Sequence, residues 1–521
     1  EQRDAPQVLA AFAEPALEQW VSDLPSGNPG LATRLFQDLL EELISLQMST
    51  PNRMASLEIL RSSFLMIEDY LRSRLTKLGF PKAEAEKKIF TLLVLLERHF
   101  TIGYWIVVRD LTRREVGWLQ GKSTVTAMQR TIKGLSSVVV SHYIMSYSVP
   151  DWIWYDLHSL YKLSVKLGKS STRINEPAGV FSKSSSIEAS YKQVLLLSLA
   201  FPSGLMQREF QLVYDFIEKI ADYVTIETKP VTDQSMQCLI LIDEDLPPSF
   251  ISKVDEPLDK RSDSSRLYLN FTKLYKLFKQ PEKLCSKEEG RFSVQELSRQ
   301  DQRKLSFELF DYLVQRWQGK ELHGATLFTD RLNRYLSIGF DATHDLQDTN
   351  QPPVGGLEIV AESHSERALS CDFEKEGMLS IGSLVSFRRT DAAIQQRVLG
   401  IVCKIQLPKQ DSNKLFFEIS LIAQQSYSVT YLYPDATGDS EHKKALLYGI
   451  KQDGQERSYI ILESFMIKDS DVLRMFMGQE SFPIILNGRK NIGLGYWQFE
   501  CRRIVEKLAQ PQAGKKGYDF I

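Results

Sequence analysis

Residues 378–433 constrain this chain more than any other stretch, because four short runs there alternate apolar and polar residues between turn-forming clusters. Alternation with a period of two puts one apolar face on each strand, so short runs of this kind predict a small antiparallel barrel or sandwich. In the second run Leu399, Ile401, Cys403 and Ile405 fall on one face, and in the third Leu415, Phe417, Ile419 and Leu421 do. Pro408 and the cluster Asp411-Ser412-Asn413 lie between these runs and supply residues suited to tight reversals.

The chain upstream reads differently. From about Pro15 to Gly168 the apolar spacing is helical, as in Phe36, Leu39, Leu40, Leu43 and Ile44, or Leu57, Leu60, Phe64, Ile67, Leu71 and Leu75. Asn28-Pro29 and Thr50-Pro51 each offer an N-cap followed by Pro, and Gly79 and Pro81 mark a stop and a new start. Lys88–Val108 is apolar almost all round, which predicts a central helix. Further helices are expected over Val125–Ser146 and Trp152–Leu167, giving an α-helical bundle over 1–170. Residues 169–187 are rich in Ser, Lys, Pro and Gly and read as a linker.

A middle α+β domain is expected over 185–322. Its helices are read at Ile187–Ala200, Gln207–Asp222, Thr272–Lys279 and Ser298–Gln318, and its strands at Tyr223–Glu227, Met236–Ile242 and Leu267–Asn270. A strand-rich barrel region is expected over 326–515, with further strands at Asn333–Phe340, Gly356–Ala361, Lys444–Lys451, Glu456–Leu462, Val472–Met477, Phe482–Leu486 and Gly495–Arg502. Asp453-Gly454 is a strong hairpin signal. So many strands exceed one small barrel and imply extra strands or a second barrel. The fold class is therefore multidomain α+β.

A chain of 521 residues is too long for one ordinary core. Its 64 basic and 66 acidic residues nearly cancel, so the balance does not favour DNA or a membrane surface as partner. Cys238, Cys285, Cys371, Cys403 and Cys501 are scattered and odd in number, a pattern of reduced thiols and not of a disulfide framework or zinc site. No apolar stretch looks long enough for membrane insertion, and no signal-peptide pattern opens the chain, so a cytoplasmic protein is expected.

Chemistry-bearing motifs are sparse. Gly121-Lys-Ser lies in the stretch Gly117–Thr124 and is similar to a phosphate-binding loop, but the first glycine is out of place and no buried strand precedes it. An interhelical loop with Ser123 capping the next helix is the better reading. Gly493-Leu-Gly495 lacks the third glycine of a dinucleotide loop. The seven histidines are dispersed, the pair Asp243 and Asp245 is expected on a solvated loop, and no enzyme chemistry is expected. Arginines are better placed: Arg331 and Arg334 precede a predicted strand and Arg388-Arg389 close another. A guanidinium can fork onto a phosphate, bond guanine O6 and N7, or stack on a base, so these residues could hold a guanine dinucleotide at a barrel rim.

Gly382–Arg388, Arg397–Ile405 and Phe417–Ile422 together resemble the barrel of PilZ-type domains. The chain is similar to bacterial proteins that pair such a barrel with a long helical N-terminal region, through W..DLP.GNP from Trp20 and GYW.VVRDL at Gly103–Leu111. The resemblance implies a cyclic di-GMP site built from an RxxxR segment and a [D/N]xSxxG turn. Their counterparts are Arg331-Leu-Asn-Arg334, one residue shorter, and Asp372-Phe-Glu-Lys-Glu-Gly377, with Glu374 in place of serine. Gly377 would allow close backbone approach and Asp372 would accept from a guanine N–H. The function implied by the resemblance is that of a non-enzymatic cyclic di-GMP effector or adaptor that relays binding to a protein partner, with homo-oligomerisation admitted and no cofactor. The alternative is an interaction scaffold whose degenerate barrel no longer binds nucleotide.

Overall fold

The computed structural model describes residues 3–25, 27–113, 121–179, 182–251, 265–281, 284, 305–320, 326–348, 356–407, 414–433, 441–452 and 454–504. By compactness these fall into two units, one of residues 1–324, 368–381 and 403–418, the other of 325–367, 382–402 and 419–521.

The first unit is mainly helical. Its helices are α1 (Pro6–Leu9), α2 (Glu14–Ser22), α3 (Pro29–Ser45), α4 (Thr50–Leu75), α5 (Glu84–Thr112), α6 (Gly121–Ile144), α7 (Ile153–Lys166), α8 (Ile187–Leu199), α9 (Phe210–Ile220), α10 (Thr272–Phe278) and α11 (Phe307–Trp317). Asn28 caps α3 as expected, its side chain accepting from Leu31 N at 3.2 Å. The cap of α4 is Ser49 and not Thr50, which is the first helical residue. α6 starts at Gly121, so Ser123 lies inside its first turn instead of capping it; residues 114–120 lie outside the described chain. Asp245 is not simply solvated: its carboxylate accepts from the backbone N–H groups of Trp152 and Tyr155 at the start of α7.

α5 is long and apolar enough by length and composition to cross a membrane, contrary to the expectation that no stretch is. It also carries the buried Glu86 and Glu97, and Leu93, Leu96, Phe100, Tyr104 and Val107 on it belong to the unit's hydrophobic core. Phe100 stacks on Phe64 of α4 with centroids 4.1 Å apart. One continuous core runs from Phe12 to Trp317. The segment read as a linker carries the short pair β1 (Ile174–Asn175) and β2 (Ser184–Ser185) and the buried Glu176, which pairs with Arg130 at 2.6 Å and Arg61 at 2.7 Å. β3 (Thr225–Glu227), β4 (Gln237–Leu241), β5 (Ser249–Phe250) and β6 (Arg266–Asn270) form an antiparallel sheet in the order β3-β6-β4-β5.

The remaining strands are β7 (Arg334–Ile338), β8 (Ile359–Ser363), β9 (Ala368–Asp372), β10 (Leu384–Arg389), β11 (Val398–Gln406), β12 (Lys414–Ala423), β13 (Tyr427–Leu432), β14 (Lys443–Gln452), β15 (Gln455–Leu462), β16 (Val472–Met477), β17 (Glu480–Asn491) and β18 (Trp497–Arg503). Among the described residues they close into two barrels of six strands, β10-β11-β12-β9-β8-β7 and β13-β14-β15-β18-β17-β16. The strand richness of the sequence thus resolves into a tandem of barrels. The fourth alternating run is β13 and opens the second barrel instead of completing the first. Gln452 and Gln455 are partners across the β14–β15 hairpin, where Gly454 takes φ +77°; Asp453 lies outside the described residues. Pro408 and 411–413 lie outside them too.

A further helix, α12 (Phe340–Gln347), follows β7 in a stretch to which the sequence reading assigns no element beyond the strand end at Phe340. Its Phe340 belongs to one buried cluster with Leu384, Leu399 and Ile401 of the first barrel and Leu446, Tyr448 and Ile461 of the second. The apolar face read on β11 is therefore partly the seam between barrels. α12 also bonds into the second barrel, His344 Nε2 to Val429 O at 3.0 Å and Gln347 Nε2 to Ser426 Oγ at 2.8 Å.

Candidate functional site

β7 and β10 run antiparallel with Arg334 opposite Arg389 and Tyr335 opposite Arg388. Residues directly opposite in such a pair project to the same face, so the register collects Arg334 with Arg389 and sets Arg388 with Tyr335. The guanidinium of Arg388 lies 4.4 Å from the Tyr335 ring centroid, a cation–π contact. Arg334 lies 5.6 Å from the ring of Phe328.

Each of these cations meets a carboxylate. Asp330 Oδ1 accepts from Arg334 Nη2 at 2.6 Å and from Leu332 N at 3.1 Å, while Oδ2 lies 3.9 Å from Arg389 Nη1. The Arg334 hydrogen bond, with help from the Leu332 amide, holds the Asp330 carboxyl below the usual range. Arg389 also forks onto Asp391, with both bonds at 2.9 Å. Glu358 accepts two bonds from Arg388 at 2.8 Å and one from Arg397 Nη1. Burial alone would raise the Glu358 carboxyl, but the bonds from Arg388 and Arg397 overcome it and hold the group low. Arg397 is fully buried; its Nε donates to Ser386 Oγ at 2.8 Å and its Nη2 to Ser386 O at 3.0 Å.

Arg331 takes φ +56°, a left-handed conformation that is uncommon away from glycine, and its Nη1 donates to His364 O at 3.0 Å. The loop Asp330–Asn333 is held by the Asp330 side chain on the Leu332 amide, an Asx-type turn. Arg331, Arg334, Arg388 and Arg389 all belong to the second unit.

Asp372 and Gly377 belong to the first unit. Asp372 ends β9 opposite Lys414. Gly377, at φ +71°, gives its N–H to Pro81 O at 2.9 Å, and Leu379 and Phe80 exchange two backbone bonds beside it. The close approach that this glycine permits is thus made to the loop before α5. Gly79 on that loop must lack a side chain, since a Cβ there would lie 2.4 Å from Ser380 Oγ.

Sequence reasoning missed Asp330, Glu358, Tyr335, Asp391 and Arg397. An acidic residue four places before Arg334 and another two after Arg389 were the readable signals. Glu358 carries none, because its partners are distant in sequence.

Comparison with known proteins bears on the helical part. Residues 15–231 match the family model described as the N-terminal domain of the cyclic-di-GMP receptor FimW. The cyclic-di-GMP receptor FimW of Pseudomonas aeruginosa is 25% identical over 214 residues, or 41% of this chain and 35% of that protein. The match to that relative spans about a third of its length, and the family match ends before both barrels. No solved structure matches the chain. The helical region of this chain is similar to the N-terminal domain of a cyclic-di-GMP receptor.

Proposed function

We propose that this chain is a cyclic di-GMP effector whose first barrel is PilZ-like and holds the dinucleotide at the arginine rim. One observation carries the reading: the β7–β10 register sets Arg334 and Arg389 side by side on one face of the strand pair. Guanidinium pairs of this kind fork onto phosphate oxygens. The similarity of residues 15–231 to a receptor domain supports the same reading from the other unit. Binding is relayed to a protein partner, without catalysis, in the cytoplasm. The relay element is α12, tied to β10 through Thr343 and to β13 through His344.

The second reading, a scaffold that no longer binds nucleotide, is favoured by one fact: Arg334, Arg388 and Arg389 already face carboxylates of their own chain. Calorimetric titration with cyclic di-GMP separates the two. Saturable binding that weakens at least tenfold in Arg389→Ala, whose exposed side chain leaves the core intact, is expected of the effector. An absence of heat at ligand concentrations up to about 1 mM refutes it. Asp372→Ala in the same titration reads whether that carboxylate adds to the affinity.

A further inference from the structure

Two carboxylates beside β7 and β10, Glu358 and Asp330, each face a pair of arginines, and their exposure separates them. Glu358 between Arg388 and Arg397 is mostly enclosed, with the Arg397 side chain fully buried. Asp330 between Arg334 and Arg389 is different: its side chain is 29% exposed, that of Arg334 6% and that of Arg389 54%. Solvent, and hence a ligand, reaches the place where the two guanidinium groups converge.

We propose that Asp330 is a built-in competitor for this site: its carboxylate stands where a phosphate oxygen of the ligand would sit, and a phosphodiester binds by displacing it. The inference rests on the effector reading for the identity of the ligand, but the competition itself rests on geometry. Asp330 offers a planar anion to the same donors that fork onto phosphate, 2.6 Å from Arg334 and 3.9 Å from Arg389. Its hold on the Arg389 side is long, and that cation is shared with the exposed Asp391, an arrangement that a doubly charged ligand outbids in Coulomb energy.

The loop that delivers Asp330 is also poised to move. Arg331, one residue on, is held at φ +56° while Asp330 bonds the Leu332 amide. Strain of this kind persists only while surrounding contacts enforce it, and release of the carboxylate removes one of them. The loop from Asp330 to Asn333 then relaxes as the ligand enters.

The test is titration of wild-type protein, Asp330→Asn and Asp391→Asn with cyclic di-GMP and, separately, with inorganic pyrophosphate at low ionic strength. Asparagine keeps an oxygen for the Leu332 amide, so the turn survives while the charge is lost. Asp330→Asn is expected to tighten binding of both ligands about tenfold and Asp391→Asn less than about twofold. Adding Arg389→Ala to Asp330→Asn is expected to abolish the gain. Equal or weaker binding by folded Asp330→Asn overturns the proposal, and if wild type still binds cyclic di-GMP the effector reading survives. A gain for pyrophosphate with no cyclic di-GMP binding to any variant upholds the competitor and overturns the effector reading. Failure of every protein to bind either ligand overturns both.

Discussion

Thr343 and Ser386 share a buried hydrogen bond, Thr343 Oγ1 donating to Ser386 Oγ at 3.0 Å, and the same oxygen receives Arg397 Nε at 2.8 Å. The bond fastens α12 to β10 at the residue that anchors the buried arginine. Ser386→Ala removes the acceptor and leaves two buried donors unpaired, which costs about 2–3 kcal/mol. Urea denaturation is expected to show that loss for Ser386→Ala and about 1 kcal/mol for Thr343→Val, where only one partner goes.

The relay proposed through α12 has its own test. His344→Ala and Gln347→Ala cut the bonds to Val429 O and Ser426 Oγ on the second barrel while leaving the arginines untouched. Hydrogen exchange with and without cyclic di-GMP is expected to show ligand-induced protection in β13 of the wild type, and its loss in the double variant at unchanged affinity. Protection in β13 that persists in the double variant would rule out α12 as the link.

Two glycines are expected to behave unequally. A Cβ at Gly79 would lie 2.5 Å from the Leu379 carbonyl oxygen, which is backbone and cannot swing aside. At Gly377 it would meet nothing nearer than 3.7 Å, so the cost there is only the left-handed φ of 71°. Gly79→Ala should lose more than about 2 kcal/mol and Gly377→Ala about 1, read from denaturation midpoints.

Glu97 on α5 makes stability pH-dependent. It is 0% exposed, and it and Glu68 share one cation, Arg72, each at 2.9 Å. Burial, only partly offset by Arg72 and reinforced by the charge of Glu68, pushes its carboxyl up to about 8. The folded chain therefore holds a proton that the unfolded chain has released, between the ordinary carboxylate range near 4.3 and about 8. Folding stability falls as pH rises through that window, by up to about 1.4 kcal/mol per pH unit from this group alone. Glu97→Gln, which keeps an acceptor for Ser141 and Arg72, should flatten the slope between pH 5 and 8 in urea titrations.

How far this architecture is legible in the sequence depends on what periodicity encodes. Leu415, Phe417 and Ile419 announce a strand with one buried face, and all three are buried. Alternation names a face but not a neighbour, so Tyr427–Leu432 reads with the strands before it although it pairs with β14 and β16. The run Ala368–Asp372 has no clean alternation, being buried at four successive positions, and β9 carries no strand signal for that reason. α12 is only eight residues long and mixes Asp, Thr, His and Gln with its apolar positions, because it is wedged between surfaces on several sides. The helical signatures from Trp20 and at Gly103–Leu111 fall within residues 15–231, which match a receptor-domain family. The rim arginines are readable as cations, but their carboxylate partners are not, since Glu358 meets Arg388 and Arg397 only after the chain has folded back.

That folding back matters beyond geometry. Arg334 and Arg389 sit on strands far apart in sequence and become neighbours only through long-range pairing, so no local fragment presents them together. A molecule that needs both must select the completed β structure over every partly assembled form, and by mass action it will raise the temperature at which that structure melts.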